Sequence, residues 1–346
     1  HCLRCNIRMV EIKKKRLVKL DDVARLAGVS QMTVSKALRG TGRISEKTIA
    51  RVHAAAEELG YVKNFMAGSL RTQTSSFVGV IIPSASNEIF AEILSGINDQ
   101  LRPHGLNTLI GESLFDGKVE EELIRTMLSF KPVGLILCGG LHHTENTIKL
   151  LNLRHCPSVQ LWSPDKNFGD ANIGPSHKAV GQLMAQHFLD RGYQHLGYIG
   201  AELGKDLCAE VRHKSFVDTL QEAGKTVVEV IDPNIPRQSQ SGRELTRQLM
   251  EKYPKTDAIF YLNDAMAIGG TAWLYEQGIS IPGQVAVAGF NGTSIGHTIR
   301  TRITTIDLSR HGIGMDAGNA IIQLAAGDET PLIIQTPIQL VQGNTT

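Results

Sequence analysis

The first residues that could do chemistry lie in a short segment, QMTVSK, that begins at Gln31. Glutamine and lysine side chains donate hydrogen bonds to base edges in the DNA major groove, and methionine offers an apolar contact. Serine and threonine hydroxyls reach phosphate oxygens. An ordinary solvated helix face is the alternative, and the surrounding residues favour DNA contact. The residues expected to contact DNA in this segment are Gln31, Met32, Thr33, Ser35 and Lys36.

The charge of the chain is divided unequally along its length. Residues 1–75 hold 15 Lys and Arg against 6 Asp and Glu, whereas the remaining residues hold 21 against 28. A small basic head on a larger acidic body predicts a polyanionic partner for the head alone. Arg39 and Arg43 follow the segment closely, and we expect them to contact phosphates, which positions a protein on DNA without reading sequence.

The residues around this segment predict two short helices that cross closely. In LDDVARLAGVSQMTVSKALRG, apolar residues recur at helical spacing, and two aspartates lie in the first turn, where the helix dipole favours acids. Ala24 permits close approach, Gly28 suits the end of the first helix, Ser30 is a good cap for the second, and Val34 fills the contact. This spacing is typical of a helix-turn-helix. A third helix is predicted over residues 45–59.

A second set of candidate residues lies in the body, after apolar runs. Eight runs, FVGVIIP, NTLIGES, VGLILC, PSVQLW, HLGYIG, TVVEVI, DAIFYL and QVAVAGF, predict buried parallel strands that alternate with amphipathic helices. Such alternation is typical of a doubly wound sheet, whose ligands bind beyond the carboxyl ends of the strands. The candidates for ligand contact are the residues that follow four of these runs: Asn87, Phe90, Trp162, Asn263, Asp264 and Asn291.

Both parts of the chain resemble the LacI/GalR-type family of transcriptional regulators. The likeness is clearest in DDVARLAGVSQMTVSKALRG and RISEKTIARVHAAAEELGYVKN, and it extends from about Lys15 across the rest of the chain. IPSASNEIFAEILSGI and AGFNGTSIG look most similar to the gluconate-utilisation repressors of that family. The resemblance implies an α-helical helix-turn-helix head and an α/β two-lobed periplasmic-binding-protein-like domain with parallel sheets. It also implies a homodimer on near-palindromic double-stranded operator DNA, because a two-fold protein reads a two-fold site.

The resemblance also suggests how the chain is divided. The expected parts are a poorly ordered N-terminal extension (1–16), the helix-turn-helix domain (17–62), a hinge (63–75) and an effector-binding and dimerisation domain (76–346). In that last domain, the chain is expected to cross between the lobes near residues 175, 304 and 327.

Within the hinge, Asn64 and Leu70 match the family's hinge asparagine and the leucine that inserts between base pairs in the minor groove. Apolar wedges of this kind unstack a base step and bend the duplex. A plain flexible linker is the alternative, because Gly68, Ser69 and the following Thr/Ser cluster suit both.

The resemblance further implies a small-molecule effector, with Arg212 matching the arginine that hydrogen-bonds it. This chain departs from the sugar-binding members, since Asn291 stands where they commonly have Asp and Trp162 where a neutral-sugar relative has an acid. Fewer carboxylates lower the Coulomb cost of admitting an anion. We therefore expect a sugar acid of the gluconate type that releases the protein from its operator. The alternative is a regulator with a neutral sugar or a nucleobase corepressor.

Other classes of protein fit the sequence less well. An apolar run of about twenty residues, as a membrane span requires, is not found. The residues before Met9 lack the apolar core of a signal peptide, which argues against an exported sugar-binding protein, and the scattered cysteines fit a reducing cytoplasm. Cys2 and Cys5 have no second ligand pair, and His142 and His143 are adjacent, so we expect no metal site and no cofactor. We also expect no enzymatic activity, because the sequence has no G-x-S-x-G motif or other recognisable catalytic set.

Overall fold

The computed structural model describes residues 18–62, 75–85, 87–162, 169–294, 296, 301–328 and 332–346. The chain divides into two units, residues 1–71 and 72–346, which correspond to the basic head and the acidic body. The expected N-terminal extension (1–16) and the hinge residues Asn64 and Leu70 lie outside the described residues.

The head contains three helices: α1 (Leu20–Ala27), α2 (Gln31–Ala37) and α3 (Glu46–Glu58). Serine side chains cap the N-termini of two of these helices. The Ser30 hydroxyl accepts a hydrogen bond from the Thr33 amide at 3.1 Å, and the Ser45 hydroxyl accepts one from the Thr48 amide at 3.3 Å. A cap of this kind typically stabilises a helix by about 1 kcal/mol.

The turn between α1 and α2 brings these helices into close contact. Gly28 ends α1 with φ of 62°, a left-handed conformation that side chains disfavour, and the next amide donates to the Ala24 carbonyl at 3.1 Å. Val34 is fully buried and packs in one cluster with Ala24 of α1 and Val52 of α3. The predicted helix-turn-helix is confirmed.

The body contains eight further described helices and twelve strands. Its helices are α4 (Glu88–Leu101), α5 (Gly117–Ser129), α6 (Glu145–Asn152), α7 (His177–Asp190), α8 (Leu207–Glu222), α9 (Ser239–Lys252), α10 (Asp264–Glu276) and α11 (Arg310–Ala325). Its strands are β1 (Phe77–Ile82), β2 (Asn107–Glu112), β3 (Gly134–Cys138), β4 (Ser158–Leu161), β5 (Ala171–Gly174), β6 (Leu196–Ala201), β7 (Val227–Asp232), β8 (Ala258–Tyr261), β9 (Ala286–Ala288), β10 (Thr305–Asp307), β11 (Leu332–Gln335) and β12 (Gln339–Val341).

Two parallel sheets define two lobes. The first has six strands in the order β11-β5-β4-β3-β1-β2, and the second has four in the order β7-β6-β8-β9. Strands β10 and β12 form a separate antiparallel pair. Each of the eight apolar runs predicted as strands is a strand of one of the parallel sheets. The predicted two-lobed α/β architecture is confirmed.

The chain passes between the two lobes three times. The first passage follows β5, because α7 packs against α8 and leads to β6 of the second sheet. The second lies at β10, after which α11 packs against α4 of the first lobe. The third follows β11, which pairs with β5 in the first sheet, so it lies at residues 336–338. The expectation of a passage near Gly327 is wrong, because that residue and β11 after it both belong to the first lobe.

Glycines allow α4 and α11 to pack backbone to backbone. A Cβ atom at Gly96 would lie 2.1 Å from the His311 carbonyl oxygen, and one at Gly314 would lie 2.1 Å from the Ile93 carbonyl oxygen. This close approach fixes the position of α4, whose first turn carries Phe90. Across the described parts of the chain, every helix is too short or too polar to cross a lipid bilayer.

Candidate functional site

In the head, the structure exposes three of the five side chains expected on the DNA-contacting face of α2. Gln31, Met32 and Lys36 are exposed, and Met32 has 67% of its surface accessible. Thr33 and Ser35 are half-buried, and the Thr33 hydroxyl is 2.9 Å from the Ser30 hydroxyl. The exposed face of α2 is therefore narrower than the sequence suggested, with Thr33 engaged at the helix N-terminus.

The two arginines expected to contact phosphates follow α2 and are exposed. Arg39 Nε donates to the Ser35 carbonyl at 2.9 Å, which orients the guanidinium along the end of α2. The side chain of Arg43 lies in the solvent-exposed segment before α3. Both positions leave the cationic groups accessible to a polyanion.

A contact between α1 and α2 was not expected from the sequence. Gln31 Nε2 donates to Asp21 Oδ1 at 2.9 Å, and Arg25 Nη2 donates to Asp21 Oδ2 at 3.2 Å. The hydrogen bond from Gln31 is the main cause that lowers the pKa of Asp21. The sequence had indicated only a helix-dipole role for this aspartate.

In the body, aromatic side chains form a continuous row where the two lobes meet. The ring of Phe90 on α4 lies 6.2 Å from the ring of Trp162, which directly follows β4. Trp162 is 6.0 Å from His177 at the start of α7, and His177 is 5.9 Å from Phe290, which follows β9. All four side chains are buried. The row therefore joins the carboxyl ends of strands from both sheets.

Arg212 on α8 lies against this row and is 97% buried, with a relative exposure of 3%. Its guanidinium carbon lies 3.7 Å above the Phe290 ring centre, a cation–π arrangement. Nη1 bonds to His177 Nδ1 at 3.0 Å and Nη2 donates to the Leu262 carbonyl at 3.2 Å. Nε has no hydrogen-bond partner among the described residues.

His177 is neutral at physiological pH, and its tautomer follows from its partners. Burial lowers the pKa of His177 to about 3, and the positive charge of Arg212 is the second cause of this shift. Because Arg212 can only donate, His177 Nδ1 is the acceptor. The ring proton therefore sits on Nε2, which donates to the Trp162 carbonyl at 2.8 Å.

A second arginine, Arg237, is half-buried and lies near the first. Arg237 Nη1 donates to Asp206 Oδ2 at 2.8 Å, and Nη2 donates to the Glu202 carbonyl at 2.8 Å. Its Nε has no partner among the described residues. Burial acts to raise the pKa of Asp206, but Arg237 and Arg212 outweigh it and hold the value below that of an ordinary aspartate. The four interacting groups are thus two guanidinium cations, one carboxylate and the neutral imidazole of His177.

The structure changes the role expected for Asp264. This side chain is fully buried, and its carboxylate accepts hydrogen bonds from the Thr293 amide at 2.7 Å and the Thr305 hydroxyl at 2.7 Å. Burial raises its pKa to about 6. Asp264 therefore positions the turn after β9, and the ligand contact expected from the sequence stays a prediction.

The two asparagines near this edge, Asn263 and Asn291, have different surroundings. Asn263 Oδ1 caps α10 by accepting from the Met266 amide at 2.9 Å, and its Nδ2 donates to the Arg237 carbonyl at 3.2 Å. Asn291 is buried with φ of 114°, and its Oδ1 has no partner among the described residues. Asn291 is thus free to bond a ligand, whereas Asn263 is occupied in holding Arg237 and α10.

Asn87 caps the helix that carries Phe90. Its Oδ1 accepts from the Ile89 amide at 3.2 Å, and the side chain is half-buried. One amide nitrogen therefore remains at the N-terminus of α4, on the first-lobe side of the aromatic row.

Arg310, the first residue of α11, connects the turn after Asn291 to the first lobe. Its guanidinium donates to the Gly292 carbonyl at 3.0 Å, to Asp307 Oδ1 at 3.0 Å and to the Glu92 carboxylate of α4 at 2.9 and 3.2 Å. Since Arg310 is buried, these bonds are shielded from solvent competition. A shift of the Asn291 turn would therefore be transmitted to α4.

The sequence patterns did not identify several of these site residues. Phe290 and Arg237 follow β9 and β7, so the strand-end rule that selected the other candidates could have found both. His177 follows β5, which is short and contains Asn172, and that strand was not predicted. Within the part of the chain that the structure describes, no group of three His, Cys, Asp or Glu side chains is suited to hold a metal ion.

A helix-turn-helix head joined to a two-lobed α/β body with a buried polar and aromatic site defines the class of ligand-responsive DNA-binding proteins. Residues 19–64 match the model of bacterial regulatory proteins of the lacI family, and residues 185–346 match a periplasmic binding protein-like domain. The chain is 37% identical over 312 residues to the HTH-type transcriptional regulator GntR of Pseudomonas aeruginosa, covering 90% of each chain.

Solved structures agree with this assignment. A LacI-family transcriptional regulator from Silicibacter pomeroyi is 36% identical, has a TM-score of 0.88, and matches 95% of this chain and 99% of its own. The lac repressor dimer bound to operator and the anti-inducer ONPF shares the fold, with a TM-score of 0.83 at 23% identity over 96% of this chain and 99% of its own. The chain belongs to the lacI family of bacterial regulatory proteins and is a DNA-binding transcriptional regulator.

Proposed function

We propose that this regulator represses genes of sugar-acid catabolism and is released from its operator by a small anionic sugar of the gluconate type. The observation that carries the proposal is Arg212. It is a buried cation whose direct hydrogen-bond acceptors, His177 Nδ1 and the Leu262 carbonyl, are both neutral. Among the described residues, no carboxylate lies within ion-pair distance of it. A buried charge is costly unless a counter-charge accompanies it, so the site favours an anion.

The neighbouring charges also favour a negatively charged ligand. Asp206 is the carboxylate that interacts with both arginines, and it is paired directly with Arg237. One guanidinium charge is therefore left without a carboxylate in the described part of the site. A monocarboxylate effector would supply the missing charge, and arginine recognises carboxylates through two parallel hydrogen bonds.

The uncharged side chains suit the remainder of a sugar acid. The rings of Phe90 and Trp162 offer apolar surface to the carbon chain, and the free Oδ1 of Asn291 accepts from a hydroxyl. Asn263 and Asp264 act behind these groups by holding Arg237 and the Asn291 turn. Asn87 lies at the first-lobe edge, where it can reach a hydroxyl through its amide nitrogen.

We further propose that two copies of the chain bind a near-palindromic double-stranded operator in the cytoplasm. The fold likeness to a lac repressor dimer on its operator supports this assembly. Gln31, Met32 and Lys36 would face the major groove, Thr33, Ser35, Arg39 and Arg43 would lie against the backbone, and Asn64 and Leu70 would form the hinge contact to the minor groove.

Release requires that the effector bind the off-DNA state more tightly than the on-DNA state. Effector held by Arg212 and Asn291 of the second lobe and by Phe90 and Trp162 of the first lobe would draw the two lobes together. The bonds from Arg310 to Gly292 and to Glu92 provide a direct route for that movement into α4. A relative shift of the lobes within a dimer would separate the two hinges and weaken the grip on DNA.

Isothermal titration calorimetry tests the ligand class. The purified full chain is titrated with D-gluconate and with two neutral compounds of similar size, glucose and glucitol. We expect gluconate to bind at least 100-fold more tightly than either neutral compound, on the order of the Coulomb contribution of one partly buried ion pair. Tight binding of neutral hexoses without a response to gluconate or other aldonates would refute the proposed effector class.

Fluorescence anisotropy on a selected operator tests the sign of the response. We expect gluconate to raise the Kd for the operator. If gluconate tightened operator binding, the protein would be a corepressor-type regulator, and the release mechanism proposed here would be wrong.

A further inference from the structure

The contact between Asp21 and Gln31 joins the two helices of the DNA-binding motif at the N-terminus of α2. Gln31 is the first residue of α2, and its amide nitrogen bonds to Asp21 Oδ1 at 2.9 Å. The other carboxylate oxygen of Asp21 is held by Arg25 from the following turn of α1, at 3.2 Å. Asp21 is therefore fixed between a cation on its own helix and an amide on the next.

This contact permits only one orientation of the Gln31 amide. A carboxylate accepts hydrogen bonds and cannot donate them, and the pKa of Asp21 is lowered, so the group is ionised at neutral pH. The amide oxygen of Gln31 would be repelled from Asp21, whereas the amide nitrogen is attracted. With the nitrogen toward α1, the oxygen Oε1 and the second N–H remain for another partner.

The orientation has a consequence for base recognition. A freely rotating glutamine amide can present donors to the two acceptors of guanine, N7 and O6, or pair an acceptor and a donor with adenine N6 and N7. When the Gln31 atoms that face the base include Oε1, the base must offer a hydrogen-bond donor to that oxygen. Adenine does so through N6, and its N7 accepts the remaining N–H. Guanine presents only acceptors at this edge and meets Oε1 with repulsion.

We propose that Asp21 is a specificity-determining residue of this regulator, which holds the Gln31 amide so that it selects adenine over guanine in the operator. The inference rests on the proposed contact of α2 with the major groove. Asp21 itself reads no base in this account. It acts through Gln31, and its negative charge opposes binding to a polyanion.

The test compares four full-length proteins by operator selection from a randomised duplex library: wild type, Gln31→Ala, Asp21→Ala and Asp21→Asn. Gln31→Ala identifies the base position that Gln31 reads, as the symmetric pair of positions at which selection is lost. Asp21→Ala removes the acceptor and the charge. Asp21→Asn removes the charge but keeps an oxygen that can accept from Gln31, so it is the matched control for charge.

At the position identified by Gln31→Ala, the wild type should prefer adenine over guanine by roughly 5- to 150-fold, the range for one bidentate base contact. Asp21→Ala should reduce this ratio at least fivefold at that position and leave other positions unchanged. Asp21→Asn should keep most of the ratio. Both Asp21 variants should bind random DNA more tightly than wild type, because each removes a negative charge from the DNA-binding head.

Three outcomes would overturn the inference. In the first, Asp21→Ala keeps the wild-type base preference, which would leave Asp21 only as an acid in the first turn of α1. In the second, Asp21→Asn broadens the preference as much as Asp21→Ala, which would make charge and not amide orientation the cause. In the third, Gln31→Ala weakens binding to all sequences equally, which would make Gln31 a phosphate contact and refute the proposed α2 reading as well.

Discussion

Replacement of Arg212 by methionine is the most direct test of the ligand site. The substitution keeps an unbranched side chain of comparable length over the Phe290 ring and removes the buried positive charge. At a separation of about 4 Å and an effective dielectric constant near 20, one ion pair contributes on the order of 4 kcal/mol. Truncating one partner of a buried, hydrogen-bonded charge pair costs about 2–5 kcal/mol in measured interfaces. We therefore expect gluconate affinity to fall by roughly 30- to 4,000-fold.

Calorimetry with gluconate and glucitol separates loss of charge from loss of fold. The affinity for gluconate should fall sharply, whereas the weak affinity for glucitol should change by no more than about tenfold, the equivalent of 1.4 kcal/mol. Arg243→Met is the matched control, because Arg243 pairs with Glu276 on an exposed surface of the second lobe. That variant should bind gluconate as wild type does, since exposed ion pairs contribute little.

The expected salt dependence adds a second criterion. Because Arg212 is buried, raising the ionic strength should weaken gluconate binding only slightly, while operator binding should weaken steeply. If folded Arg212→Met binds gluconate within about threefold of wild type, a difference under 1 kcal/mol, the ion-pair argument is wrong. An equal loss for gluconate and glucitol would instead show that Arg212 shapes the site without selecting charge.

Three further predictions concern coupling, packing and pH. Arg310→Met should bind gluconate yet show a smaller gluconate-induced change in operator Kd, because the Asn291 turn is no longer bonded to α4; an unchanged ratio of operator Kd values would contradict this. Gly96→Ala should lower the free energy of unfolding, measured by urea titration, by about 1–3 kcal/mol, since its new methyl group would lie 2.1 Å from a carbonyl oxygen of α11. Gly204→Ala should leave this free energy unchanged, because its methyl group would meet only a flexible glutamate end at 3.7 Å. The pKa of His177 is lowered to about 3 from 6.5, so its contribution to stability is present above pH 6.5 and is lost as the pH falls. Between pH 7.5 and 5, wild type should lose about 2 kcal/mol of unfolding free energy, whereas His177→Gln should not. Urea titration at each pH measures this difference.

The helix-turn-helix and the strands of the two lobes were predictable because local patterns specify them. Ala24, Gly28, Ser30 and Val34 act within a few residues of one another, through a cap, a left-handed turn and a short-range contact. The apolar runs of the body are long enough to identify buried strands without knowledge of their neighbours. The same patterns placed the candidate ligand contacts at strand ends. Strand β5 escaped prediction because ANIG is short and mixes polar with apolar residues.

The roles of individual side chains in the body depended on partners distant in sequence. Asp264 follows a strand just as a ligand contact would, but its carboxylate accepts a hydrogen bond from Thr305, which is 41 residues away, and so positions the turn after β9. Arg212 meets the Leu262 carbonyl across 50 residues, and Arg310 meets Glu92 across 218. No local pattern records which buried polar group finds a partner and which, like Asn291 Oδ1, is left without one among the described residues. Those pairings arise when the two sheets and the returning chain segments pack together, so the charge and the free hydrogen-bonding atoms of the site are properties of the packed chain.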